Sequence, residues 1–271
     1  MSKGLFWKIW AVLLVLSILW LGWAIKTSQP ASAQAGASGG AADVVRARSF
    51  IVTDGDGNAR GALSTTPDGH PGLMLYGVEG LPRVALFIMP DGSPALALSD
   101  SDGRPRAGFT VAAADGVPRF ELDDANRVAR ATITLGPDGS PALTCRDAQG
   151  AARILLDAQL GSPSLVLADA NQTPRLGLVV MADGSPSLTL FDSEGEERGR
   201  FALAPDGAAN LVAFDAGGTT RVALGTQPDG SPSLSLFDSS RIVRVGLGVQ
   251  PDGNPGLGLF DARGEIVFFA P

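Results

Sequence analysis

His70 is the only histidine of the chain and Cys145 its only cysteine. A Ser-His-Asp or Cys-His nucleophile needs an imidazole beside a second reactive group. His70 occupies the Ser slot of a Pro-Asp-Gly-Ser-Pro turn sequence, where a solvated turn residue is expected. Cys145 aligns with Leu236 and reads as a buried substitute for leucine; a lone cysteine forms no internal disulfide, and pairing between copies is the alternative. Asp54-Gly55-Asp56-Gly57-Asn58 and Asp100-Ser101-Asp102-Gly103 hold closely spaced oxygens of the kind Ca²⁺ prefers, without the full loop and distal Glu of a helix-flanked site. Carboxylates from neighbouring turns could pair as acid and base, but turn chemistry already accounts for an Asp at each turn. No nucleophile elbow, phosphate-cradling loop or dinucleotide fingerprint occurs. The sequence therefore assigns no catalytic, cofactor-binding or metal site, and the expectation is a protein that is not an enzyme.

An Asp-to-Arg spacing of six recurs at Asp54/Arg60, Asp147/Arg153, Asp169/Arg175, Asp192/Arg198, Asp215/Arg221 and Asp238/Arg244. It reads as a charge pair steadying each hairpin end, worth about 0.2–1 kcal/mol; the functional alternative is a row of binding charges.

These residues sit in a repeat whose clearest copy is Pro228-Asp229-Gly230-Ser231-Pro232-Ser233-Leu234-Ser235-Leu236-Phe237-Asp238. Pro-Asp-Gly suits a three-residue hairpin loop, with Gly supplying positive φ. Taking Pro251-Asp252-Gly253 as that loop sets Leu247 opposite Leu257 and Val245 opposite Leu259. The second turn, after Asp238, treated as a four-residue loop, pairs Val245 with Leu236 and Leu247 with Leu234. Both turns put the same Leu/Val positions on one face, as strand alternation requires. Turn glycines fall at Gly69, Gly92, Gly116, Gly139, Gly161, Gly184, Gly207, Gly230 and Gly253, a spacing of 23 with one 24 and one 22.

The fold expected is all-β, an antiparallel meander of about nine 23-residue β-hairpin repeats with a leading half-unit from Arg48 to Asp54. Its Leu face must be buried by coiling into an elongated solenoid-like sheet, by packing in an oligomer, or in the blades of a β-propeller, the alternative fold. The small-residue face carries Ser233, Ser235, Gly246 and Gly248, with Phe191, Phe214, Phe237 and Phe260 one per unit. The terminal Phe268-Phe269-Ala270-Pro271, where Val267 replaces the Arg, reads as a cap. The period and the hairpin-per-repeat plan are similar to those of MORN repeats; that family's Tyr/Gly motif is absent, Tyr76 being the single tyrosine, and no residue role is carried over.

Residues 1–26 read as an N-terminal transmembrane helix, with a cleaved signal peptide ending near Ala31-Ser32-Ala33 as the alternative. All four tryptophans flank the apolar run, Trp7 and Trp10 at one end and Trp20 and Trp23 at the other, as aromatic belts do. Lys3 and Lys8 keep the N-terminus cytoplasmic and place the remainder in the periplasm or outside the cell. Residues 27–42, rich in Ala, Ser, Gly and Gln, form a flexible linker, and 43–271 the repeat domain. From residue 43 onward 18 Arg face 28 acidic residues, a net −10 that disfavours a nucleic-acid partner. The function expected is a membrane-tethered scaffold that binds protein partners or itself. The alternatives are a carbohydrate-binding module using the Phe row and a calcium-binding surface repeat; a small-molecule ligand is not expected.

Overall fold

The computed structural model describes residues 46–271 except 137, 159–161 and 228. The expected anchor (1–26), the linker (27–42) and the variant turn Gln159-Leu160-Gly161 lie outside the described residues. Among the described residues there are 20 strands, and no helix is long and apolar enough to cross a membrane.

The chain clusters into two units, residues 1–129 and 130–271. The first contains β1 (Ser49–Thr53), β2 (Ala59–Thr65), β3 (Pro71–Tyr76), β4 (Pro82–Ile88), β5 (Pro94–Ser99), β6 (Pro105–Val111) and β7 (Pro118–Asp123). The second contains β8 (Ala129–Leu135), β9 (Pro141–Arg146), β10 (Ala152–Asp157), β11 (Ser164–Ala168), β12 (Pro174–Val180), β13 (Pro186–Phe191) and β14 (Glu197–Leu203). It continues through β15 (Ala209–Phe214), β16 (Thr220–Thr226), β17 (Pro232–Phe237), β18 (Val243–Val249), β19 (Pro255–Phe260) and β20 (Ile266–Ala270). Within each unit every strand pairs antiparallel with the one before and the one after it. This is the expected hairpin meander. The four-strand blades of the propeller alternative do not occur, because the hairpins are equivalent and each pairs onward to the next.

Strands begin at proline so regularly because residue one of a strand after a tight turn needs no ladder donor. The Pro-Asp-Gly turns have the expected geometry: the Gln250 N–H donates to Asn254 O at 2.8 Å, and Gly253 sits at φ +85°. Val245 faces Leu259 and Leu247 faces Leu257, the expected register.

The turn at the opposite end is corrected in one respect. Val245 does face Leu236, but the loop after Asp238 holds three residues, closed by Asp238 N–H to Ile242 O at 3.0 Å. Ile242, the fourth residue of the expected loop, pairs with Asp238 instead, and the extra residue is Arg244, extruded as a β-bulge between the pairs Phe237–Val243 and Leu236–Val245. The third loop position needs positive φ, and where glycine is missing Arg127, Gln172 and Arg241 take φ of 60–65° there. Tertiary pairing on both sides imposes a conformation that these side chains otherwise disfavour.

Alternation then gives each unit two unlike faces. In the first unit the small-residue face forms the row Ala62–Met74–Ala85–Ala97–Gly108. Met74, Ala85 and Ala97 are 3–5% exposed, with Tyr76 and Phe87 packed against them. Of the three expected routes to burying the Leu face, coiling of the sheet does not achieve it within the unit: Leu63, Leu73, Leu75, Leu86 and Leu98 remain 42–51% exposed. Small side chains are covered by their neighbours' rings and backbone, whereas a leucine projecting from a single layer has nothing above it.

Candidate interaction surface and hairpin rims

At the Asp-starting turns that carry an arginine six residues on, one carboxylate does two jobs. In the turn of Asp238, Oδ1 accepts from the N–H groups of Ser240 and Ile242 at 2.8 and 3.0 Å, and Oδ2 takes Arg244 at 3.4 Å. The expected pairs all form, with Asp54–Arg60 at 2.6 Å and Asp215–Arg221 at 3.4 Å among them, and Asp100–Arg106 joins them at 3.4 Å. The backbone donors, of which Glu196, Thr219 and Ile242 contribute most at their respective turns, hold Asp192, Asp215 and Asp238 below the usual carboxylate range, and the arginines add to this.

The bulge gives each arginine a second role that the spacing alone did not reveal. Its guanidinium also donates to the carbonyl that ends the next strand: Arg244 to Phe260 O at 2.8 Å, Arg221 to Phe237 O at 2.9 Å, Arg153 to Ala168 O at 2.7 Å. Arg60 to Gly77 O at 2.7 Å, Arg83 to Ser99 O at 3.0 Å and Arg106 to Asp123 O at 2.9 Å repeat it in the first unit. The row of arginines is thus a set of staples between successive hairpins.

The two Asp-rich turns use their oxygens in the same way. Asp54 Oδ1 accepts from Asp56 and Asn58 and its Oδ2 from Arg60, while Asp100 Oδ1 accepts from Asp102 and Arg104 and its Oδ2 from Arg106. Both leading carboxylates therefore aim into their own turns.

His70 is half-buried rather than solvated, its N–H donating to Thr66 Oγ1 at 3.0 Å. Cys145 stands in the apolar row between Ala131 and Ile154, as its alignment with leucine required, but is only half-buried. Two members of the Phe row pack on glycines: an added Cβ at Gly246 would meet the Phe260 ring at 3.5 Å, one at Gly258 would meet it at 3.0 Å, and one at Gly177 would meet the Phe191 ring at 3.5 Å. These rings lie over glycines, which leave room for them.

The widest feature is the Leu face of the second unit. One row runs Ile133–Leu143–Leu156–Leu165–Leu178–Leu188–Phe201–Leu211–Leu224–Leu234–Leu247–Leu257. A parallel row runs Cys145–Ile154–Leu167–Leu176–Leu190 and on through Val222, Leu236 and Val245 to Leu259. Neither row contains a charged residue. In the first row Ile133, Leu156, Leu178, Phe201, Leu224 and Leu247, all on even-numbered strands, are 42–51% exposed, while most of their odd-strand partners are half-buried. Along this row the face is therefore ridged with a period of two strands, while the parallel row stands highest at Leu190 on β13, 50% exposed. Over β10–β14 it shapes a groove of about 660 Å³, lined by Leu156, Leu165, Leu178, Leu188, Phe201 and Leu203 among others.

No family model matches this chain, and no curated protein does. Among solved structures it is similar to the SAS-4 (dCPAP) TCP domain of Drosophila melanogaster, solved in complex with a proline-rich motif of Ana2 (dSTIL). The two are 15% identical, the match covers 64% of this chain and 94% of that one, and the TM-score is 0.37.

Proposed function

We propose that this chain is a non-catalytic interaction scaffold, carried outside the cytoplasm on its apolar N-terminal run. The observation that supports the reading is the open, uncharged Leu face of the second unit, with leucines 42–50% exposed at Leu178, Leu190, Leu224 and Leu247. Contiguous exposed apolar surface of this extent marks an interaction site rather than a free surface. Equivalent positions repeated along it suit multivalent contact. The Asp and Arg groups that could have formed a charged site are held in turns and staples, and Phe191 and Phe260 of the Phe row are packed on glycines. Membrane tethering and export follow from residues 1–26, their paired tryptophans and the charge step from Lys to acidic body.

The test uses the full-length chain in its membrane, with Leu178→Ser, Leu224→Ser and Leu247→Ser combined. Wild type is expected to run in assemblies larger than one copy on native gels after mild solubilisation, and the triple variant as a single copy. Assemblies unchanged by the triple variant would remove the scaffold reading of this face. For the topology, a protease added outside intact cells or spheroplasts is expected to cut the repeats; protection there, with cutting only after lysis, overturns export.

A further inference from the structure

We propose that the Leu face over β10–β14 is a self-association surface, occupied by the same face of a second copy. This rests on the scaffold reading and names its partner. A sheet face is covered most economically by another sheet about 10 Å above it, the two sets of side chains interdigitating. Interdigitation needs a partner with the same ridge spacing. Here the ridges stand on β10, β12 and β14, with Leu156, Leu178 and Phe201 at 47%, 42% and 51% exposure, and Leu165 and Leu188 lie lower between them. That sets the ridges about 9.6 Å apart, two strand spacings. A second copy carries that spacing by construction.

The packing requires a twofold axis that runs between two strands, and the groove over β10–β14 centres it near β12 and β13. A twofold axis along a strand would set ridge on ridge. An axis running between β12 and β13 sets each ridge over a furrow: Leu178 over Leu188, and Phe201 over Leu165 of the groove. The contact is isologous, so each of these meetings occurs twice. Its area suffices. A half-exposed Leu or Phe offers roughly 80–100 Å², so the six on β10–β14 together with Ile133, Leu211, Leu224 and Leu236, which extend the two rows to β8 and β17 equally on both sides of that axis, give roughly 800–1,000 Å² per copy, the size of a standard stable interface. The charged rims do not oppose it, because both rows are free of charge and the Asp residues at the turns are paired with arginine.

The experiment measures energy transfer between donor- and acceptor-labelled full-length copies in lipid vesicles at low surface density. Wild type is expected to show transfer above that of a random distribution, competed away by unlabelled wild type. Phe201→Glu alone and Leu165→Arg alone are each expected to weaken association at least tenfold. Mixing the two variants restores it, because one of the two contacts becomes an ion pair and the other stays native. Leu178→Glu mixed with Leu188→Arg repeats the test where either first variant fails to fold. Wild type at the random level, transfer indifferent to the single variants, or a mixture no better than either variant overturns the proposal. Loss of wild-type transfer together with assemblies that still disappear in the Leu→Ser triple variant would leave the scaffold standing with a different occupant, such as an unlike protein or an acyl chain. Loss of both would remove the scaffold as well.

Discussion

The two faces of the same strands contrast sharply. Ala85 and Leu86 are neighbours on β4, yet one is 3% and the other 51% exposed. The buried face is the one with the smaller side chains. Hydrophobicity alone would have placed leucine inside, but burial in a single layer is decided by what lies above a residue. Over the small face lie Met74, Tyr76 and Phe87, which reach across because alanine and glycine leave space. The Leu face keeps its apolar surface open within the unit.

The largest expected effect tests that contrast within one strand. Ala85→Asp puts an unpaired carboxylate into the buried row and should cost at least about 3 kcal/mol. Leu86→Asp, one residue on, should cost under about 1 kcal/mol in the isolated monomer. Denaturant melts of the two variants side by side decide it, and equal losses would erase the difference between the faces.

Next in size is crowding on the small side. A Cβ at Gly225 would lie 2.7 Å from the Ala209 carbonyl oxygen. Gly225→Ala should therefore lower stability by about 1–3 kcal/mol, whereas Leu224→Ala beside it, half exposed, should cost less. Thermal unfolding of the pair gives the order, and a reversed order would break the account of tight packing over glycine.

A smaller loss is expected at the rim. Arg244→Ala removes a hydrogen bond to Phe260 O and an ion pair with Asp238, together about 1 kcal/mol. Hydrogen exchange should show the seam between β18 and β19 opening faster near Phe260, with the Leu247–Leu257 end unchanged. Arg244→Lys should recover only part of it, since an ammonium cannot fork to both acceptors.

The smallest effect is on pH dependence. Asp192, Asp215 and Asp238 are held below their ordinary value by turn N–H donors first and by arginine next. A depressed folded-state pKa contributes stability that is fully present above the unfolded value of about 3.9 and is lost as pH falls through the lower folded value. Acid unfolding should therefore begin below about pH 4. Asp192→Asn should flatten that limb by lowering the neutral-pH melt toward the acid-limit value, because its amide oxygen still accepts from the turn but carries no charge for the turn donors and Arg198 to favour. A variant as acid-sensitive as wild type would show that the carboxylates do not set the acid limit.

Sequence by itself determined the local and the periodic. Pro-Asp-Gly dictated the hairpin loops, the 23-residue period dictated equivalent units, and alternation dictated which residues share a face. Register followed, because a slip of one residue would have moved every leucine to the other face. The Asp–Arg pairs were legible for the same reason: six residues across one turn is a local distance. The bulge at each arginine was not legible, since a four-residue loop and a three-residue loop with one extruded residue give identical pairing beyond them. Only the tertiary structure decided where the guanidinium goes next, to a carbonyl 16 residues on in the case of Arg244 and Phe260. It also decided which face is buried. Periodicity reports that two faces differ, while burial depends on which side chains from adjacent strands are long enough to fold over the gaps, and that is a property of the assembled sheet.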